Sequence, residues 1–426
     1  MEVIRVEGGH HLSGCVEVNG AKNSALKLMA ATLLAPGKTT LTNVPNISDV
    51  HIMGKVLKHM GATIDVLDEH TLAIDTANVN SWEAPYELVA KMRASTAVMG
   101  PLIGRFGRAT IAMPGGCNIG ARKMDLHFLG LEALGVVFEN THGYIHADAT
   151  AGLKGATVSL SFPSVGATEN MIMAAVRAQG TSVIDNAARE PEIVDLANML
   201  NDMGAKIMGA GTPVITIEGV DELHPVEHRV VGDRIEAGTF LAAGAITGDV
   251  LEVKGFAPSH LGMVVKKMEQ MGVVIEPTGE GAIVRRVGDI KPVDIQTLPF
   301  PGFPTDMQAQ VMTLCALAQG SSVITENVFE NRFMFASELS RMGADIRIEG
   351  HHALIHGVEG FSGAQVVSPD LRGGAALVLA GLVAEGVTEV SAIHHIDRGY
   401  DGFVNKLVSL GAHVERVEVP DPVDSF

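Results

Sequence analysis

One phrase returns six times along the chain, and it constrains the fold more than any other feature. It reads Leu or Met, two variable positions, Leu or Met, Gly, Ala or Val, any residue, then an apolar residue: LKHMGATI, LEALGVVF, LNDMGAKI, MEQMGVVI, LSRMGADI and LVSLGAHV. Its glycines are Gly61, Gly135, Gly204, Gly272, Gly343 and Gly411, spaced 68 to 74 residues apart. The phrase predicts the last turn of an amphipathic helix, a glycine in the left-handed position that ends it, and the start of a strand. Earlier in every unit, at Gly37, Gly107, Gly180, Gly248, Gly320 and Gly386, a second helix ends. That helix is apolar almost all round, as in SALKLMAATLLAPG or MQAQVMTLCALAQG. A helix without a polar face belongs inside.

Between the two helices lies a β-rich run such as TTLTNV, TSVIDN, SSVITE or TEVSAI. Each unit is therefore expected to run buried helix, strand, amphipathic helix, strand, with a further strand. Repeats of this period also suggest propellers and solenoids. The helices exclude a propeller, and the first helix of each unit lacks the polar face a solenoid would expose. The expectation is an α/β chain of two similar domains, each of three helix-inside, sheet-outside repeats.

Composition narrows the function. The chain has 426 residues, enough for two cores. A formal net charge of −18 argues against nucleic-acid binding, which selects basic surfaces. No segment reads as a signal peptide or membrane span: the N-terminus lacks an apolar core, and stretches such as Ala375 to Ala384 are too short. The three cysteines, Cys15, Cys117 and Cys315, form no C-x-x-C pair, so a cytoplasmic protein without a disulfide framework is expected. The 17 histidines include neighbouring pairs but no H-E-x-x-H spacing, and no metal or other cofactor is implied.

Aligning the repeats places unusual residues at matching helix starts. The buried helices are entered through Lys22-Asn23, Arg93, Ser164-Val165-Gly166, Asp233-Arg234, Thr305-Asp306 and Asp370-Leu371-Arg372. The second helices begin near Cys117 to Arg122, Arg189-Glu190, Arg332 and Arg398. Ser, Thr and Asp there are ordinary caps. Lys and Arg are not, because the helix dipole disfavours cations at an N-terminus. Lys22, Arg93, Arg122, Arg332 and Arg398 thus imply compensation by a bound anion, a phosphate or carboxylate.

Cys117 lies in AMPGGCNIGAR, a glycine-punctuated loop between a strand and a helix. Cys15 and Cys315 read as small buried hydrophobes. Cys117 does not, with Arg122 five residues on and exposed backbone around it. A reference pKa of about 8.5 leaves its thiol able to donate a proton at neutral pH. A nearby Arg would lower that value and a bound phosphate would raise it, and the sequence leaves both open.

From Val18 to about Val417 the chain resembles the UDP-N-acetylglucosamine enolpyruvyl transferases, the MurA family of bacterial peptidoglycan synthesis. The marks are VNGAKNSAL, MRASTAVMGPL, PGGCNIGARKMDLH, NAAREPEIVDLANML, DRIEAGTF, FPTDMQAQ, FENRFM, DLRGGAAL and HIDRGYD. The resemblance implies two inverse α/β barrel-like domains, residues 20–230 and residues 1–19 plus 231–426, with the active site in the cleft between them. It implies transfer of the enolpyruvyl group of phosphoenolpyruvate to the 3′-hydroxyl of UDP-N-acetylglucosamine, with release of phosphate. Lys22, Arg122 and Arg398 would hold the phosphate and carboxylate of phosphoenolpyruvate, with Arg93 and Arg332 adding positive field. Asn23, the run Arg122, Lys123, Met124, Asp125 and Leu126, Ser164, Val165, Gly166, Thr305, Asp306 and Val328 would bind the UDP-sugar. Asp370 and Arg372 would line the cleft. Lys123 stands where some relatives have Pro, which affects uridine contacts rather than chemistry.

By the same resemblance, Cys117 would be the acid and the residue alkylated by fosfomycin, and Asp306 the base. Relatives with Asp in place of this Cys escape the drug. Two other readings stand behind this one: enolpyruvyl transfer to shikimate 3-phosphate, and a non-catalytic paralogue that binds UDP-sugars.

Overall fold

The structure, a computed structural model, describes residues 1–89, 92–113 and 124–420, without the side chains of residues 93–95. All twelve repeat glycines have positive φ, from +65° at Gly107 to +143° at Gly320, where an L side chain is strained. After the amphipathic helices the ending is the same from repeat to repeat. The amide three residues past the helix reaches back to the carbonyl five residues earlier, as in Ala62 to Leu57, Val136 to Leu131, Ala205 to Leu200, Ala344 to Leu339 and Ala412 to Leu407. These bonds satisfy carbonyls the helix leaves open and turn the chain into a strand.

The described strands form six four-stranded sheets. Each holds one parallel pair and two antiparallel pairs. Val214–Glu218 and His352–His356 show alternate burial, one face on the core and one outside. The first helices are buried nearly all round: every residue of Arg234–Thr247 but the last, and every residue of Gln308–Cys315. Helices are inside and sheets outside, as the repeat predicts.

The described chain forms two compact units, residues 1–19 with 232–420, and residues 20–113 with 124–231. Each has its own apolar core. Each is closed by a strand distant in sequence. Glu227–Arg229 joins the sheet of the first repeat beside Lys38–Thr42. Glu2–Glu7 lies between Val387–Ser391 and His413–Glu418 in the sheet of the sixth. Gly14–Glu17 pairs with Leu251–Lys254 in the fourth.

Cys15 corrects the sequence reading. Val16 is the inward residue of Gly14–Glu17, so alternation turns Cys15 outward, and it is exposed. Cys315 is buried, and burial pushes its thiol up to about 12.

Candidate functional site

In the unit that holds residues 232–420, Asp306 gathers two buried arginines. It sits in the turn Thr305–Met307 that leads into Gln308–Cys315. Arg332 Nη2 donates to Asp306 Oδ1 at 2.8 Å, and Arg372 Nη2 to Asp306 Oδ2 at 3.3 Å. Both arginines are almost wholly buried, with side chains 5% and 3% exposed. The carboxylate is held in one orientation by two forked donors. Arg372 lies over the Tyr400 ring, 5.2 Å from its centre. Burial works against the Arg372 charge, but Tyr400, Asp306 and Asp233 outweigh it and hold the guanidinium above its ordinary range. The Tyr400 hydroxyl is itself fixed by Thr239 at 2.9 Å and Gln310 at 3.3 Å. The Tyr400 hydroxyl also hydrogen-bonds the Arg372 guanidinium, which ties the arginine to both Asp306 and Tyr400.

Glu326, which the sequence did not single out, organises the surrounding loops. Its Oε1 accepts from the Thr297 hydroxyl and from the amides of Val328 and Phe329 at 2.8 to 3.0 Å. Its Oε2 accepts from the Thr305 hydroxyl at 3.0 Å and Gln308 Nε2 at 3.3 Å. Five donors on one buried carboxylate tie the segment of Thr305 and Asp306 to that of Val328 and Arg332. No periodic signal marks Glu326, because it lies just past the strand Ser321–Thr325.

Asp370 caps its helix, accepting from the Arg372 and Gly373 amides at 2.8 and 3.0 Å, and so aims the Arg372 backbone. Arg398 closes the turn Ile393–Arg398 and is half-buried. Asp370 and Arg398 both act on His395, whose pKa is lowered first by burial, then by His394 and Arg398, against the pull of Asp370.

In the other unit, Lys22 opens the helix Lys22–Ala31 and is buried. Its Nζ lies 2.9 Å from Asp49 Oδ2, in the first turn of Ser48–His59. The same helix is anchored twice more. Ser24 donates to Asp195, which also holds His228 at 2.8 Å and the Val231 amide at 3.1 Å. Lys27 Nζ lies 2.6 Å from Glu169, a carboxyl that burial raises to about 6 against the pull of Lys27. Asn23 is exposed beside Lys22.

Asn170 joins the remaining candidates of this unit. It accepts from the Gly100 amide at 2.7 Å, donates to the Thr96 carbonyl at 3.3 Å, and lies 3.0 Å from His127 Nδ1. A Cβ at Gly166 would meet the His127 ring at 3.1 Å, so the helix starts carrying Met124, Asp125 and Leu126 and carrying Ser164, Val165 and Gly166 meet at a glycine. Ser164 caps its helix at Ala167 N. A buried Glu169-Asn170 pair inside an otherwise apolar helix was the available signal for this junction.

Cys117, Arg122 and Lys123, with the loop from Gly115, lie outside the described residues, as does the Arg93 side chain. One expectation changes. Lys22, Arg332 and Arg372 have protein carboxylates beside them, so a bound anion is not the sole source of compensation at these helix starts.

Comparison with known proteins decides the family. The profile of EPSP synthase (3-phosphoshikimate 1-carboxyvinyltransferase) matches residues 6–407. The chain belongs to this enolpyruvyl transferase family. Among curated members it is 56% identical to UDP-N-acetylglucosamine 1-carboxyvinyltransferase 2 of Carboxydothermus hydrogenoformans, over 98% of this chain and 100% of that one. It is 52% identical to UDP-N-acetylglucosamine 1-carboxyvinyltransferase 1 of Staphylococcus epidermidis, with the same coverage. Among solved enolpyruvyl transferases, NikO from Streptomyces tendae superposes with a TM-score of 0.88 at 26% identity, covering 98% of this chain and 99% of that one. EPSP synthase from Acinetobacter baumannii superposes at 0.75 with 18% identity, over 98% and 100%, and shares the fold.

Proposed function

We propose that this enzyme is a UDP-N-acetylglucosamine 1-carboxyvinyltransferase, joining the enolpyruvyl group of phosphoenolpyruvate to the sugar 3′-hydroxyl and releasing phosphate. The observation that carries it is identity above half, over nearly the whole chain, with transferases named for that acceptor. The shikimate reading has the EPSP synthase profile over residues 6–407 and a fold-level likeness at 18% identity in its support, without the high identity that favours the UDP-sugar.

Addition requires a proton on the methylene of phosphoenolpyruvate and removal of the hydroxyl proton. In this reading Cys117 supplies the first and Asp306 takes the second. Asp306 is clamped by two guanidiniums, which keep both its oxygens engaged until one of them is displaced. It therefore acts as a base when an incoming anion draws one guanidinium away. Arg372, at 3.3 Å against 2.8 Å for Arg332, is the one more loosely held to Asp306 and more readily drawn to substrate. Lys22, Arg93, Arg122, Arg332 and Arg398 stabilise the phosphate and carboxylate of the tetrahedral ketal. Elimination then expels phosphate, removes a methyl proton and restores the vinyl ether. The Met124–Leu126 and Ser164–Gly166 helix starts, with Asn23, Thr305, Val328 and Asp370, hold the UDP-sugar.

The work belongs to peptidoglycan synthesis in the cytoplasm, and fosfomycin acts by alkylating Cys117. Among the described residues no helix is long and apolar enough to cross a membrane. The test is phosphate release from phosphoenolpyruvate with UDP-N-acetylglucosamine or shikimate 3-phosphate as acceptor. Release with the UDP-sugar alone supports the proposal, and release only with the shikimate ester, or none, overturns it.

A further inference from the structure

Spacing in the sequence showed no metal site, but the pairing of the chain's first and last strands builds a three-donor cluster away from the substrate residues. Glu7 ends the strand Glu2–Glu7 and His413 begins His413–Glu418, and the two are direct partners across the antiparallel pair. His10 is brought back over them by a pinned turn. Gly8 N donates to Gly386 O at 3.2 Å and Gly9 N to Leu382 O at 2.9 Å, while Gly9 has φ +85°. A Cβ on Gly8 would lie 2.1 Å from the Ala384 carbonyl, so only glycine lets the chain approach that closely.

The result is one ligand atom from each of Glu7, His10 and His413, all within 4.8 Å of one another. His10 Nε2 lies 3.8 Å from Glu7 Oε1, and His413 Nδ1 lies 3.6 Å from Glu7 Oε2. Donors about 2.1 Å from a shared tetrahedral ion stand roughly 3.4 Å apart. The two histidine–carboxylate separations, one to each Glu7 oxygen, are a few tenths of an ångström longer than that figure. The imidazoles stack face to face with centres 3.4 Å apart and planes 16° apart, so at least one ring turns before both nitrogens meet one ion. All three side chains retain solvent exposure and can rotate to converge. Two imidazoles and a carboxylate suit a borderline transition metal rather than Mg²⁺ or Ca²⁺, which prefer all-oxygen sites.

We propose that Glu7, His10 and His413 bind a divalent transition-metal ion of the Zn²⁺ class, with water completing its coordination. The ion would staple the first strand of the chain to the last and stabilise the unit they close.

The test is titration of the whole protein with Zn²⁺ by calorimetry, beside His10→Ala and His413→Ala single variants and the double variant. Other histidines and thiols also take up Zn²⁺, so the reading is the difference between proteins. The expected result is one fewer equivalent bound by the double variant, affinity at that site weakened on the order of tenfold or more by each single change, and a Zn²⁺-induced rise in Tm present only in the wild type. Retained phosphate release in the variants reports that they are folded. Equal stoichiometry and affinity in wild type and double variant, or an equal Tm response, overturns the proposal and leaves a stacked histidine pair beside a carboxylate.

Discussion

Arg332 and Asp306 meet at 2.8 Å with the arginine buried, while Arg372 takes the other oxygen of the same carboxylate. Asp306 is thus both an ion-pair partner and the candidate base. Replacing Asp306 by Asn keeps the shape and removes the charge. Turnover is expected to fall by about 10²–10⁴-fold, while affinity for UDP-N-acetylglucosamine, measured by calorimetry, changes far less. Near-normal turnover would remove Asp306 as base.

Glu326→Gln tests the organiser of the neighbouring loops. The amide keeps one acceptor oxygen and turns the other position into a donor that faces donors. A loss of about 2 kcal/mol in urea unfolding is expected, with a rise in KM for the UDP-sugar. An unchanged KM at reduced stability would show that Glu326 serves folding alone.

Glu236 tests burial against pairing. It sits 2.6 Å from Lys406, yet burial, only partly opposed by Lys406, raises it to about 7. Its folded pKa lies above the unfolded one, so the native state binds the extra proton. Its contribution is therefore present below the unfolded value and is lost as pH rises through about 7. Unfolding free energies of wild type and Glu236→Gln, compared from pH 5 to pH 8, should shift in favour of the variant as pH rises, by on the order of 3 kcal/mol. A difference that does not move with pH would show that Glu236 is not the titrating group.

The cysteines separate by accessibility. In a Cys117→Ser protein, a thiol reagent should label Cys15 under native conditions and Cys315 only after unfolding. Cys15 should react more slowly than a free thiol, since burial and Glu252 raise its pKa. The same variant should take up no fosfomycin; labelling by the drug would place its target at another thiol.

The fold was legible because it is written six times. A glycine such as Gly204 gives little by itself, but twelve glycines in register point to a repeated left-handed turn, and all twelve have positive φ. The residues at helix starts were legible for the same reason. Residues acting through tertiary partners were not: Asp49, Glu326 and Tyr400 sit at no repeated position, and their roles come from Lys22, Thr305 and Arg372, which other segments bring to them. Cys15 shows the opposite failure, where an alternating pattern was visible but its phase was not.

The strand Glu2–Glu7 is made long before the strands that house it. Its neighbours, Val387–Ser391 and His413–Glu418, emerge about 380 to 410 residues later. At ribosomal speeds of about 5–20 residues per second it waits on the order of 20–80 s with both edges open. Residues 20–231 can meanwhile complete their unit, since every strand of their three sheets lies within that stretch. The two chain ends finish side by side, Met1 exchanging backbone hydrogen bonds with Val419 at 2.8 and 2.9 Å. A permuted chain that begins at Gly20 and carries Met1–Asn19 after its present end would make both units continuous and abolish the wait.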